Sequence, residues 1–164
     1  MEETNLNLPP EGNFSDQLAA EIQYEYASTW QRFFNLLIDN ILMRYGLSYL
    51  TGTAVGMLLG IMFPEYILRV ASEPGGIDLW LLGYAIAIVN WLLYYTICEK
   101  AFRGYTLGKL ITGTRAVRED GGELTFKDAF LRSLSRLVPF EWFSGFGGHP
   151  WHDTWTKTMV VKSR

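Results

Sequence analysis

Two stretches of this chain stay uncharged long enough to cross a membrane. "YGLSYLTGTAVGMLLGIMF" runs nineteen residues from Tyr45 to Phe63, and "LWLLGYAIAIVNWLLYYTIC" runs twenty from Leu79 to Cys98. A helix needs ~20 apolar residues to cover a ~30 Å hydrocarbon layer, and each run meets that length. Buried helices of a soluble bundle are shorter and keep a polar stripe. The pattern therefore predicts two transmembrane helices, over about 33–63 and 79–98, in a mainly α membrane protein whose partner is the lipid bilayer.

Charge is segregated around these runs. Residues 1–28 hold six acids and no Lys or Arg, whereas 99–164 hold eleven Lys/Arg against seven acids. We read 1–28 as a flexible acidic tail, with "NLPPEGN" as a breaker. The connection 64–78 has one Arg and the turn signal "EPGG", so it reads as an external loop. Arg32 and Arg44 flank the first span, and Lys100, Arg103, Lys109, Arg115 and Arg118 follow the second. The positive-inside bias then places both termini in the cytoplasm. With no apolar stretch before Trp30, the first span is expected to direct its own insertion. A single cysteine, Cys98, excludes an internal disulfide. The sequon at Asn13 has meaning only in a secretory lumen.

The residues 99–164 read as a small cytoplasmic α+β tail. "GTRAVREDGGELTF" alternates and turns at "EDGG", so Thr114–Arg118 and Glu123–Leu124 are expected as a short hairpin. "TKTMVVK" is a final strand able to pair with Thr114–Val117. "TFKDAFLRSLSRLV" opens on Thr125 with Asp128 three residues on, close to a capping box. Its Phe126, Ala129, Phe130, Leu134, Leu137 and Val138 share a face opposite Lys127, Arg132 and Arg136, which suits an interfacial helix on the cytoplasmic membrane surface or one covering a small soluble subdomain. "PFEWFSGFGGHPW" is too short and broken to span, and its aromatics suit headgroup depth.

Three features bear on function. In "RFFNLLID" an arginine and an aspartate stand seven residues apart, nearly two helical turns, so Arg32 and Asp39 share a face about 10 Å apart along the axis. Asn35 lies on that face too. Charges in lipid cost ~2.5–3.5 kcal/mol near mid-bilayer, so Asp39 should face protein or water. Arg44, further along, places Asp39 near the cytoplasmic boundary. Gly52, Gly56 and Gly60 recur every fourth residue, with Ser48 one turn earlier, and make a smooth face for helix packing. The second span is its expected neighbour, another copy the alternative. Asn90 is expected to hydrogen-bond between helices.

Read together, "WQRFFNLLID", the two spans, "GYTLGKLITGTRAVREDGGELTFKDAFLRSLSR" and "WHDTWTKTMVV" resemble the RDD family of small bacterial membrane proteins, over about residues 27–162. That family is named for one arginine and two aspartates. The resemblance implies Arg32, Asp39 and Asp153 as these three, Asp153 being preceded by His152, and an inner-membrane location. It also implies a part in moving ions or small solutes, as an oligomer or with other membrane subunits, since two spans enclose little. Asp39 and Asp153 would bind a cation or proton, with Arg32 tuning their charge. The competing reading is a scaffold subunit in which the same residues form a structural ion-pair network.

Other motifs carry less. "GYTLGK" imitates a phosphate loop, but Gly104 to Gly108 is one residue short and Leu110 stands where Ser/Thr is required. We expect a turn there, with Lys109 at the lipid headgroups or bonded to the tail. His149, His152 and Asp153 lack a second cluster to complete a metal site. No nucleophile and base pair, no cofactor motif and no basic aromatic surface for nucleic acid is legible, so neither an enzyme nor a nucleic-acid partner is expected.

Overall fold

A computed structural model describes residues 24–73, 75–144 and 150–163. Ser28 opens the first helix by a capping box, its hydroxyl accepting from Gln31 N (3.2 Å) while Gln31 Oε1 accepts from Ser28 N (3.0 Å). Helix α1 (Thr29–Leu42) passes through a π-helical segment, Met43–Leu47, into α2 (Ser48–Met62). Together they form a continuous helix of 34 residues, about 51 Å long. Pro64 ends it, because the residue before a proline is pushed out of the helical region. It then occupies the first turn of α3 (Pro64–Ser72). The connection 64–78 is therefore not a plain loop: it holds this nine-residue helix, and Arg69 pairs with Asp78 across its end (2.5 Å). Helix α4 (Ile77–Ala101) has 25 residues.

Among the described residues, the long α1–α2 helix and α4 are the two helices long and apolar enough to cross a membrane. They run over Thr29–Met62 and Ile77–Ala101, against the expected 33–63 and 79–98. Their apolar side chains point outward: Leu50, Met57, Ile61, Leu81, Val89 and Leu93 are all exposed, and α2 buries no residue. Lipid tails are as apolar as leucine, so this outward face is the solvated one in a bilayer. Asn90 joins the helices as expected, donating to Thr51 Oγ1 (2.7 Å) and Ser48 Oγ (3.4 Å). The glycine row does not: a Cβ added at Gly52, Gly56 or Gly60 would meet nothing within 4 Å. The polar Ser48–Thr51 edge faces α4, leaving the three glycines without a packing neighbour among the described residues.

Beyond α4 the chain turns at Gly104 (φ +93°), where a Cβ would strike Ala116 O. It then forms α5 (Leu107–Thr112), β1 (Thr114–Arg118), α6 (Phe126–Ser135), α7 (Glu141–Ser144), α8 (Trp151–Thr156) and β2 (Thr158–Lys162). The turn expected around Lys109 is thus a short helix. Strands β1 and β2 pair antiparallel, Thr114 opposite Lys162 and Arg118 opposite Thr158. The expected hairpin is not formed. "EDGG" makes a turn, with Gly121 N donating to Arg118 O (2.9 Å), but Leu124 drops into the core beside Ala27, Ala116 and Val160. Thr125 caps α6 immediately afterwards, its box with Asp128 present as expected, so too little chain is left for a ladder. Residues 24–27, read as part of the tail, lie along β2: Ala27 N donates to Val160 O (2.9 Å) and Lys162 N to Glu25 O (2.8 Å). The rest of that tail and its sequon lie outside the described residues.

Helix α6 is turned over relative to a helix of a water-soluble domain. Phe126, Phe130 and Leu134 are exposed, while Arg132 and Ser133 are wholly buried against α4. Thr96 Oγ1 donates to Ser133 Oγ (3.1 Å). Against lipid this is the favourable orientation, the apolar face outside and the charged face inside.

Candidate functional site

The polar seam on α1 exists: Asn35 and Asp39 are buried, and Phe33, Phe34, Leu37 and Ile41 are exposed. It is covered by α5. A Cβ at Gly108 would run into Asn35 O and sit 3.0 Å from Asn35 C and Cα, so only glycine lets the two backbones approach this closely. The Asn35 amide, with its nitrogen toward Gln31 O and Gly108 O (3.1 Å each), accepts from Thr114 Oγ1 (2.9 Å) and so ties α1 to α5 and β1. Asp39 Oδ1 accepts from Tyr94 Oη (2.7 Å) and Gly108 N (2.8 Å), and Oδ2 from Thr106 Oγ1 (2.7 Å). Thr106 in turn caps α5. Asp39 thus meets three neutral donors and no base among the described residues.

Arg32 does reach the C-terminal region: its Nη1 pairs with Asp153 Oδ2 at 2.9 Å. This contact begins a chain of buried ion pairs. Arg132 Nη1 binds Asp153 Oδ1 (2.5 Å) and also reaches Thr158, while its Nε binds Glu99 Oε2 (3.0 Å). Glu99 Oε1 further accepts from Lys109 Nζ (2.7 Å) and Arg136 Nη2 (3.0 Å). Three bases therefore share one carboxylate, and both Glu99 and Arg132 are 0% exposed. Isolated charges here would carry a desolvation cost of several kcal/mol per ion, which mutual pairing offsets. Asp39 and Asp153 share no base, so the structure joins Arg32 with Asp153 and leaves Asp39 in a neighbouring, separate set of bonds. Of the two places expected for Lys109 it takes the second: it is buried and bonded to Glu99 at the start of the tail.

His152 lies beside the chain. Its Nδ1 meets Glu141 Oε1 (2.5 Å) and its Nε2 is 3.5 Å from Asp153 Oδ1. Burial, reinforced by Arg136, pushes the imidazole below its ordinary value. His149 lies outside the described residues. Burial also brings the Lys109 ammonium down to about 8, against the pull of Glu99. Asp153 moves the other way. Burial alone would raise it, but Arg132, His152 and Arg32 hold it at about 2, from 3.8. A carboxylate depressed on folding stabilises the fold above its unfolded value and loses that contribution as pH falls through the folded one. The window is thus pH 4 down to 2, and the amount about 2 kcal/mol. Thermal unfolding in micelles should show wild type more stable than Asp153→Asn at pH 7, with the gap closing by pH 2; a gap that stays constant would contradict the pairing.

Above the network, between α1 and α4, lies a cavity of about 590 Å³. Arg32, Asn35, Leu36 and Asp39 line it from α1, Trp91 and Tyr95 from α4, and Lys109, Arg136, Glu141 and His152 from the later elements. Arg136 stacks on the Tyr95 ring, 4.3 Å from its centroid.

Sequence reasoning missed Glu99, Arg132, Arg136, Tyr94 and Glu141. Glu99 was signalled as the first acid after the second uncharged run, and Arg132 and Arg136 by their spacing of four on one face of α6.

Among known proteins, the model of the RDD family matches residues 26–157. No curated protein and no solved structure matches the chain.

Proposed function

Because the chain belongs to the RDD family and is a membrane protein with two apolar helices of spanning length, we propose that it takes a small solute into the cavity between those helices as part of moving it across a bacterial inner membrane. It does so as a multi-pass protein with both termini in the cytoplasm. The single Arg of the 64–78 connection is already paired with Asp78, whereas the opposite ends of both helices carry the remaining bases. It works without catalysing a reaction: both ring nitrogens of His152 are turned to carboxylates, not to a hydroxyl or thiol.

One observation carries the choice of a solute over a cation held by two aspartates. Each carboxylate oxygen of Asp39 and Asp153 already accepts from a donor of the protein, yet a half-open cavity of about 590 Å³ lies beside Asp39. That volume lies within the ~300–1,000 Å³ of ligand sites. Arg32 and Asp39 form its wall, and Asp153 fixes Arg32. Sealed vesicles carrying the purified protein and exposed to a mixed small-molecule extract test this by mass spectrometry. Wild type should admit particular solutes faster than empty vesicles, and Leu36→Trp, which fills the cavity, should abolish the excess. Excess entry that Leu36→Trp leaves intact, or excess flux confined to Na⁺, K⁺ or protons, would overturn it.

A second reading, assembly with other copies or other membrane subunits, is favoured by the glycine face of α2, where a Cβ at Gly52, Gly56 or Gly60 would meet no described atom within 4 Å. It is compatible with the first.

A further inference from the structure

Two side-chain donors on the wall of the cavity have no acceptor. Among the described residues, Trp91 Nε1 and Arg136 Nη1 are buried atoms without a hydrogen-bond partner, and both residues line the same space. They belong to one stacked row: Trp91 lies against Tyr95 with ring centroids 5.0 Å apart, and Tyr95 carries the Arg136 guanidinium. The Arg136 side chain is only 8% exposed, so its second nitrogen is a charged donor without a partner in a low-dielectric setting. Such a donor is costly to leave unmade, more so when charged.

The charge around it selects the partner. Arg136 shares Glu99 with Lys109 and Arg132, so this end of the network carries more base than acid. Two acids also face the cavity, but both are engaged: Asp39 accepts from three donors, and Glu141 from the His152 ring and backbone. Away from Arg136 the wall is apolar and aromatic, with Trp30, Phe33 and Leu36. Trp30 and Phe33 are 70% and 46% exposed, so this wall continues onto the outer, lipid-facing side of α1.

We propose that the cavity binds an anionic amphiphile, its oxyanion accepting from Arg136 Nη1 and Trp91 Nε1 and its apolar stem lying along Leu36, Phe33 and Trp30 toward the bilayer. This rests on the cavity being a ligand site and names the class of ligand. A phosphate-type head on an alkyl chain fits the paired donors, whether it arrives as a membrane lipid or as a dispersed amphiphile.

The test uses the full chain in a neutral detergent and three probes: dodecyl phosphate, dodecanol and inorganic phosphate. Dodecyl phosphate should bind ~10–100-fold tighter than dodecanol, the range expected of a hydrogen bond to a charged group, and tighter than inorganic phosphate. Trp91→Phe keeps the ring and removes only the N–H, and should weaken dodecyl phosphate ~5-fold. Arg136→Gln should erase the preference over dodecanol. Should Arg136→Gln fail to fold, Trp91→Phe decides alone, since Trp91 Nε1 makes no hydrogen bond that folding could lose. Nanodiscs of phosphatidylcholine with and without phosphatidic acid separate the sources: co-purified phosphatidic acid points to the lipid, its absence beside dodecyl phosphate binding to the dispersed form. Equal binding of dodecyl phosphate and dodecanol, equal binding of inorganic phosphate, or an unchanged affinity in Trp91→Phe overturns the proposal. If this fails while Leu36→Trp still blocks solute entry, the cavity serves another class of solute and the broader function stands.

Discussion

Glu99→Gln is expected to destabilise the folded protein by about 3–5 kcal/mol, the range for removing one partner of a buried ion pair. The cost is large because one carboxylate serves three bases: Lys109, Arg132 and Arg136 would remain buried with a neutral amide in its place. Arg132 keeps Asp153, but Lys109 keeps only the Gly104 carbonyl at 3.5 Å. Lys109 is the base that can yield its proton, because burial already brings it to about 8 and Glu99 is what holds it up. In the variant it should titrate lower still. A base depressed on folding regains stability as pH rises toward its unfolded value and loses it as pH falls through its folded one. The Lys109 part of the Glu99→Gln deficit against wild type should therefore be greatest below the variant's own lowered value, shrink as pH rises to about 8, and be gone above it. Denaturant unfolding in micelles at pH 6 and pH 9 measures both; an equal deficit at the two would mean that Lys109 does not relieve the site.

Asp39→Ala should cost about 3 kcal/mol or more, since it strands Tyr94 Oη, Thr106 Oγ1 and Gly108 N at once. Asp39→Asn should cost less, its amide oxygen still accepting from Tyr94 and Gly108. The damage has a definite place. Asp39 and Asn35 hold α5 on α1, so trypsin should begin to cut after Lys109, which is 2% exposed in the intact fold. Mass-spectrometric mapping of limited digests checks this. Wild-type stability and no new cut in Asp39→Ala, with transport lost, would instead assign Asp39 to the ligand.

Much of this arrangement is legible from local pattern. The two uncharged runs mark the spanning helices, the seven-residue step from Arg32 to Asp39 marks the seam, and Thr125 with Asp128 marks the start of α6. The pairing of Thr114–Val117 with the last strand follows from alternation. The rest depends on which solvent surrounds the helix. In water the Arg132–Arg136 side of α6 would face out, and that is how its amphipathic pattern reads; beside a bilayer it turns in, and the ion chain exists only in that orientation. Glu99 is marked only as the first acid after the second uncharged run, and nothing in its neighbours announces that three bases from α5 and α6 converge on it. The failed hairpin has a nearer cause: Glu123 and Leu124 form a two-residue stretch claimed at once by the core and by a helix cap. No pattern in "GKL" shows that Gly108 is a point of backbone contact, because the surface it must fit lies some seventy residues earlier in the chain.

The π-helical segment at Met43–Leu47 has a consequence for how one helix meets two sets of neighbours. A π turn amounts to one residue inserted into an α-helix, and one residue is worth about 100° of rotation. Upstream of it, Asn35 and Asp39 address α5 and β1; downstream, Ser48 and Thr51 address Asn90 of the other span. Deleting a residue here would keep every other side chain, yet it would swing one half of the helix out of phase with the other. The segment acts as a phase adjuster, letting one helix direct Asn35 and Asp39 toward the later elements and Tyr94 of the second span, and Ser48 and Thr51 toward Asn90 of that span.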